Sequence, residues 1–206
     1  MLPQIQPAKL ARSLAAFNDP DWLFELKHDG FRSLAYIENG QCRLVSRHRN
    51  TYKSLETLSH DLARLRVENA ILDGEIVCLN SDGRSQFKEL LYRRGRAVFF
   101  AFDLVRLNDT DLRKMPLIER KKKLKRWIER SQCFEIIYAQ HVERDGKLLF
   151  EEVCERNLEG IVCKRKSNIY AEHEWVKIKN PHYTQAEGRN EMVYGISRAS
   201  SHENER

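Results

Sequence analysis

Residues 23–37 read Leu-Phe-Glu-Leu-Lys-His-Asp-Gly-Phe-Arg-Ser-Leu-Ala-Tyr-Ile. Leu23 to Leu26 and Arg32 to Ile37 read as strands, with a polar corner at Lys27-His28-Asp29-Gly30 between them. Gly30 supplies a flexible corner in this reading, while Lys27 and Arg32 bring positive charge to one mouth. Charge set into core-like strands must be paired or functional, because burying it alone is costly.

Outward from that corner, Cys42 to Ser46 reads as a third strand, reached through the turn Glu38-Asn39-Gly40. Ser54 to Arg66 has Leu55, Leu58, Leu62 and Leu65 at helical spacing. Ala70 to Leu79 is a strand interrupted by Asp73-Gly74-Glu75, and a short helix is expected around Phe87 to Leu91. Val98 to Val105 is a buried strand with an aromatic cluster, and Pro116 opens a helix to about Arg130. Glu135 to Val142 reads as one strand, Lys147 to Arg156 as a helix, and Gly160 to Lys164 and Trp175 to Ile178 as the last strands. Several connections are too short for crossover helices, so the fold class is α+β with many antiparallel pairs.

The 206 residues suffice for one sizeable core or two small lobes sharing a cleft. With 41% hydrophobic and 32% charged residues, the composition is that of a soluble globular protein. The longest apolar runs, such as Ala97 to Leu104, are too short to span a bilayer, so no membrane is expected. The start, Met1 to Pro7, lacks a charged segment followed by an apolar one; the expected compartment is the cytosol. Cys42, Cys78, Cys133, Cys154 and Cys163 form no C-x-x-C pair, which argues against a zinc or redox motif and for reduced thiols. A net charge of +6 favours contact with a polyanion if it gathers around a reactive site.

Four elements carry polar groups into otherwise apolar strands. They are Lys27 to Arg32, Leu72-Asp73-Gly74-Glu75, Leu158-Glu159-Gly160-Ile161-Val162-Cys163-Lys164, and Trp175-Val176-Lys177-Ile178-Lys179. In the last, period-two alternation puts both lysines on one face. Strand alternation likewise puts Phe100 and Phe102 on one face, without choosing between them. Lys121-Lys122-Lys123 with Lys125 and Arg126 reads either as a solvated helix face or as a contact for nucleic-acid phosphate.

Together these elements resemble the covalent nucleotidyltransferase family: ATP-dependent DNA ligases, RNA ligases and mRNA capping enzymes. Lys27, Asp29, Gly30 and Arg32 match its K-x-D-G-x-R signature. The D-G-E element, Phe99 to Leu104, the E-G-x-x-x-K element and the paired-lysine strand follow in the family's order, and Ser46 to Asn50 is similar to its arginine segment. One K-x-D-G is weak evidence; six ordered elements are strong. Phe102 to Asn108, Leu112, Pro116-Leu117 and Arg120 are similar to ATP-dependent DNA ligases. Tyr183 to Arg189 resembles the ligase modules of bacterial end-joining proteins.

The resemblance implies an ATP-grasp-like nucleotidyltransferase domain, antiparallel sheets flanked by helices with the active site in the cleft between them. It would occupy residues 1–188, with 189–206 a disordered tail. Fewer than thirty residues follow Lys179, so no OB-fold domain is expected in the chain. The resemblance further implies that Lys27 takes AMP from ATP and passes it to a DNA 5′-phosphate, with Mg²⁺ or Mn²⁺ as cofactor. Glu25 would read the adenine amino group, Phe102 would stack on the base, and Glu75 would accept from the ribose. Arg32, Lys177 and Lys179 would hold the triphosphate, and Arg47 would contact the ribose or the 5′-phosphate. Glu159, with Glu75, would take the metal. Partners would be nicked or broken double-stranded DNA and end-joining proteins. Alternatives are an RNA ligase, another lysyl-nucleotidyltransferase, or a DNA-end-binding module with weak catalysis of its own.

Overall fold

A computed structural model describes residues 1–13, 15–170 and 175–186 of the chain. In chain order, β1 (Leu10–Arg12) and β2 (Asp19–Leu26) precede β3 (Phe31–Glu38), β4 (Gln41–Ser46) and α1 (Glu56–Ala63). Then come β5 (Asn69–Cys78), α2 (Phe87–Leu91), β6 (Ala97–Leu107), β7 (Thr110–Asp111) and α3 (Leu117–Ser131). β8 (Ile136–Tyr138), β9 (His141–Arg144), α4 (Gly146–Glu155), β10 (Gly160–Arg165) and β11 (Trp175–Lys179) complete the regular elements.

The strands form two sheets. One has the order β1-β11-β10-β2-β9, and the other β4-β3-β5-β6-β7 with β8 paired to β6. Residues 27–30, the polar corner that stood out in the sequence, carry the chain from the first sheet to the second. The α+β class with largely antiparallel pairing is therefore observed; β1–β11 and β6–β8 are parallel. Asn39 and Gly40 turn the β3–β4 hairpin with φ of 52° and 69°, the positive pair such a tight turn needs.

Alternation along the second sheet gives it two buried faces. Ala35, Ile37, Leu72 and Ile76 point into a core with Leu58, Leu62 and Leu124 from α1 and α3. Leu34, Tyr36 and Ile71 point the other way, where Leu2, Ile5 and Tyr170 cover them. The N-terminal segment is thus a structural cover, a role that periodicity does not reveal in so short an irregular stretch. A third cluster packs Val153 of α4 on Phe24, Ile161, Cys163 and Ile178 of the first sheet.

Two sequence expectations change. Glu135 to Val142 is not one strand but β8 and β9, one in each sheet, with Ala139 and Gln140 crossing between them. A run with period-two alternation does not show where its partner changes. Pro116 caps α3 from just outside rather than lying in its first turn. The boundary at residue 188 and the tail beyond it lie outside the described residues. Among the described residues no helix is long and apolar enough to cross a membrane.

Candidate functional site

Lys27 follows β2 directly, and its backbone N–H donates to Gly160 O at 2.9 Å. Its Nζ donates to Glu159 Oε2 at 2.8 Å, and Lys179 Nζ lies 3.6 Å from Glu159 Oε1. Gly160, which follows Glu159, has φ of 152°, and a Cβ on it would sit 2.2 Å from Ile178 O, so only glycine fits there.

Gly30 is needed for a reason other than a flexible corner. A Cβ at this position would fall 2.0 Å from Ile76 O, so β5 passes too close for any side chain. The glycine of the signature is a packing requirement.

Beside Lys27 opens a pocket lined by Leu10, Glu25, Leu26, His28, Arg32, Glu75, Phe102, Val162, Lys164 and Trp175. Five residues singled out from sequence, Lys27, Glu25, Arg32, Glu75 and Phe102, meet here. Phe102 reaches the pocket through a β-bulge, since the β5–β6 register steps from Asp73↔Asp103 to Gly74↔Ala101. Its ring meets Trp175 edge-on, with centroids 5.4 Å apart and planes at 84°. Phe100 instead stacks on His28 at 3.9 Å. The two phenylalanines that alternation left equivalent are thereby separated.

Arg32 is more constrained than a free phosphate clamp. Its Nε and Nη2 donate to the two oxygens of Asp73 at 3.1 and 2.7 Å, and Nη1 donates to Ala8 O at 2.7 Å. Burial opposes its charge, and Asp73 outweighs it and holds the guanidinium protonated. Asp73 also accepts from Tyr170 Oη at 2.7 Å. The group therefore forms a fixed cationic wall, 5.6 Å from the Phe102 ring and 5.0 Å from the Trp175 ring.

Glu75 pairs with Arg32 across β3 and β5. Burial pushes its carboxyl up to about 8; Lys27 and Arg32 oppose this, and the charges of Glu159 and Asp73 add to it. Burial pulls His28 down to about 4, so the ring stacked on Phe100 is neutral near pH 7.

A cationic rim lies on the β11 side. Burial, then Lys179, Lys27, Arg12 and Arg47, lower the Lys177 pKa. Arg12 comes from β1 and pairs directly with Lys177. Arg47 is outside the pocket; it is exposed, bonds His48 Nε2 at 3.0 Å, and flanks a separate depression with Arg43 and Arg49. A second, wider opening adjoins Lys27 on its other side, near Asp29, Arg84, Arg156 and Tyr183.

The basic run on α3 divides. Lys122 pairs with Glu119 at 2.8 Å and Lys125 with Glu129 at 3.9 Å, both at the surface. Lys121 is neither solvated nor offered to phosphate: it is fully buried and donates to Glu25 Oε1 at 2.5 Å. The helical period puts residues 117, 121 and 124 on one inward face, a signal that a count of charges obscures. Leu10, Lys164 and Trp175 also line the pocket without having been assigned a role from sequence. Lys164 and Trp175 stood inside quoted motifs; Leu10 had no signal.

A sequence model of the ATP dependent DNA ligase domain matches residues 1–179. The chain belongs to that family. It is 32% identical over 168 residues to the multifunctional non-homologous end joining protein LigD of Pseudomonas aeruginosa, covering 77% of this chain and 20% of LigD. It is 29% identical over 194 residues to the SPbeta prophage-derived DNA ligase-like protein LigB of Bacillus subtilis, covering 88% and 69% respectively. Among solved structures, this ligase-family chain is similar to a mycobacterial DNA ligase D complexed with ATP and MES. The TM-score is 0.69 at 28% identity, over 84% of this chain and 60% of that one. The chain thus spans about a fifth of the LigD length it matches. The fold expected from the resemblance, two sheets flanked by helices with a cleft at their junction, is the one observed.

Proposed function

We propose that this chain is a minimal ATP-dependent DNA ligase that carries AMP on Lys27 and seals breaks in duplex DNA. The observation that carries the reading is the position of the Lys27 amine. It lies where an aromatic-walled pocket meets a lysine rim, so a base in the pocket would direct its phosphates past the amine.

In the first step Lys27 Nζ attacks the α-phosphorus of ATP. A P–N bond forms, the bond to the β-phosphate oxygen breaks, and pyrophosphate leaves. A lysine amine has to lose its proton to attack, and nearby positive charge favours that loss. Lys177 and Lys179 would supply such charge. A DNA 5′-phosphate oxygen then attacks the adenylate, the P–N bond breaks, and AMP moves to the DNA. A 3′-hydroxyl displaces AMP and closes the strand. Positioning and electrostatics account for most of the rate in such phosphoryl transfers.

Glu25 would accept from the adenine amino group, Phe102 would cover the base beside Trp175, and Glu75 would face the ribose. Arg32 would close the pocket as a fixed cation, and Lys177 and Lys179 would hold phosphates. Arg47, set outside the pocket, suits a DNA phosphate better than the ribose. The donor set suits a Mg²⁺ or Mn²⁺ ion bound jointly with nucleotide. Among the described residues no group of three or more His, Cys, Asp or Glu could hold a metal alone, and magnesium commonly takes one or two carboxylates plus phosphate oxygens. Glu159 and Glu75 would be those carboxylates, and the bound ion would shield charge developing on the phosphates. End-joining proteins are proposed partners, on the strength of the LigD similarity.

The test is incubation with α-labelled ATP and Mg²⁺, a denaturing gel, and sealing of nicked duplex DNA. Label is expected on the wild type and not on Lys27→Ala, with joined product from nicked DNA. Label without joining of DNA, or joining of nicked RNA only, would move the protein to another branch of the nucleotidyltransferases. Nucleic-acid binding without label would make it an end-binding module.

A further inference from the structure

We infer that Lys121 is a positioning residue for nucleotide selection: it holds Glu25 as an acceptor-only carboxylate facing the base pocket, so that adenine is taken in preference to guanine. The inference rests on the reading of this pocket as an ATP site.

Lys121 lies on α3 and Glu25 on β2, and together with Lys164 of β10 they form a buried cluster. Relative exposures are 0% for Lys121, 2% for Glu25 and 1% for Lys164. Each Glu25 oxygen takes one lysine, Lys121 at 2.5 Å and Lys164 at 2.6 Å. Glu25 and Lys164 line the pocket, whereas Lys121 approaches from behind. One lysine would neutralise one carboxylate. Two leave the cluster with surplus positive charge, and burying each ammonium carries a large desolvation cost. The surplus is spread over the Ala139 carbonyl at 3.1 Å from Lys121, the Tyr138 ring at 4.6 Å, and the Phe102 and Trp175 rings at 4.3 and 3.9 Å from Lys164.

The second lysine fixes the protonation state of Glu25. Burial alone would raise the Glu25 pKa; Lys121 and Lys164 outweigh it and lower the value. Burial meanwhile pulls Lys164 down to about 8 despite Glu25, so Lys164 alone is a weaker guarantor of that charge. An ionised carboxylate only accepts hydrogen bonds, and lone-pair positions remain after the two lysines are served. It accepts from the exocyclic amine of adenine and repels the carbonyl oxygen that guanine carries at the same position. A protonated Glu25 would donate to that oxygen and lose the distinction. Other groups face Glu25 from its own strand and the following corner (Lys27, His28), β9 (His141) and β8 (Tyr138), and Asp103 of β6 acts on Lys164 beside it. None of them supplies a permanent cation to either carboxylate oxygen.

The test compares ATP with GTP on the full chain, by thermal stabilisation and by covalent labelling, for wild type, Lys121→Met, Glu25→Gln and the double variant. Lys121→Met is expected to reduce the ATP-to-GTP ratio by about tenfold or more. Its ATP response, relative to wild type, should fall as pH is lowered from 8.5 to 6, because Glu25 then takes up a proton. In the Glu25→Gln background, Lys121→Met should change neither the ratio nor the pH profile. If Lys121→Met melts below the assay temperature, Lys121→Gln, which keeps a donor without the charge, carries the same expectation. A folded Lys121 variant with wild-type selectivity and pH profile overturns the inference while leaving the ATP site standing. A wild type that neither nucleotide stabilises or labels overturns the ATP site itself, and the inference with it.

Discussion

Lys27 Nζ and Glu159 Oε2 lie 2.8 Å apart, an ion pair between residues 132 apart in sequence. The same carboxylate is 3.6 Å from Lys179, so Glu159 couples Lys27 to the lysine of β11. Glu159→Gln removes that charge with little change of shape. Labelling by ATP is expected to fall on the order of 10²-fold, because the ion proposed to shield the phosphates would lose one of its two carboxylates. Rates from a labelling time course decide this, and an unchanged rate would remove Glu159 from the mechanism.

Metal binding should depend on nucleotide. Glu159 and Glu75 offer too few oxygens for a tight site of their own, so Mg²⁺ alone should leave the Tm unchanged. Mg²⁺ with ATP should raise it above ATP alone, and chelation should abolish labelling. Tm scans with and without EDTA check both halves. Strong stabilisation by Mg²⁺ without nucleotide would count against this division of ligands.

Glu75 makes stability depend on pH in a definite direction. Its folded pKa, about 8, is above the ordinary 4.5, so the folded state holds a proton that the unfolded chain gives up earlier. The folded form is therefore fully favoured below about 4.5 and loses that advantage as pH rises to about 8. Glu75→Gln, permanently neutral, should gain in Tm over wild type across this window and hold a constant gain above it. A Tm difference that is flat with pH would show that Glu75 is not the group responsible.

The Arg32–Asp73 pair should be a structural necessity before it is a catalytic one. Asp73 is fully buried and binds both Arg32 and Tyr170. Asp73→Asn should cost about 3 kcal/mol or more, since it leaves a mostly buried guanidinium uncompensated. Tyr170→Phe, which removes one hydrogen bond, should cost about 1 to 2 kcal/mol. Urea unfolding of the two variants gives the comparison, and equal losses would contradict the charge argument.

Gly30→Ala tests why the signature needs glycine. The added Cβ would meet the Ile76 carbonyl at 2.0 Å, so β5 or the corner has to move. A loss above about 2 kcal/mol is expected, with labelling reduced in the fraction that folds. A neutral substitution would restore the view that glycine provides flexibility there.

Much of the candidate site was legible because its charged residues violate strand patterning. Lys27, Glu75 and Glu159 are charged groups in or beside strands that are otherwise apolar, and their order along the chain carried the rest. What could not be read was partnership. Nothing local in Lys121 separates it from Lys122; a helix facing Glu25 makes the difference, and that contact spans 96 residues. Arg32 looked free for phosphate because Asp73 lies 41 residues away. The strand split at Ala139 was hidden for a related reason, since a strand's identity depends on its neighbour. Leu10 and Arg12 were missed because three residues of β1 are too few to show a period.

The passage from β2 to β3 places Lys27 at the join between the sheets. Lys27 moves with the first sheet, through its backbone bond to Gly160, while Glu75 and Phe102 belong to the second. A change in the angle between the sheets therefore alters the reach of the amine toward any nucleotide held across them.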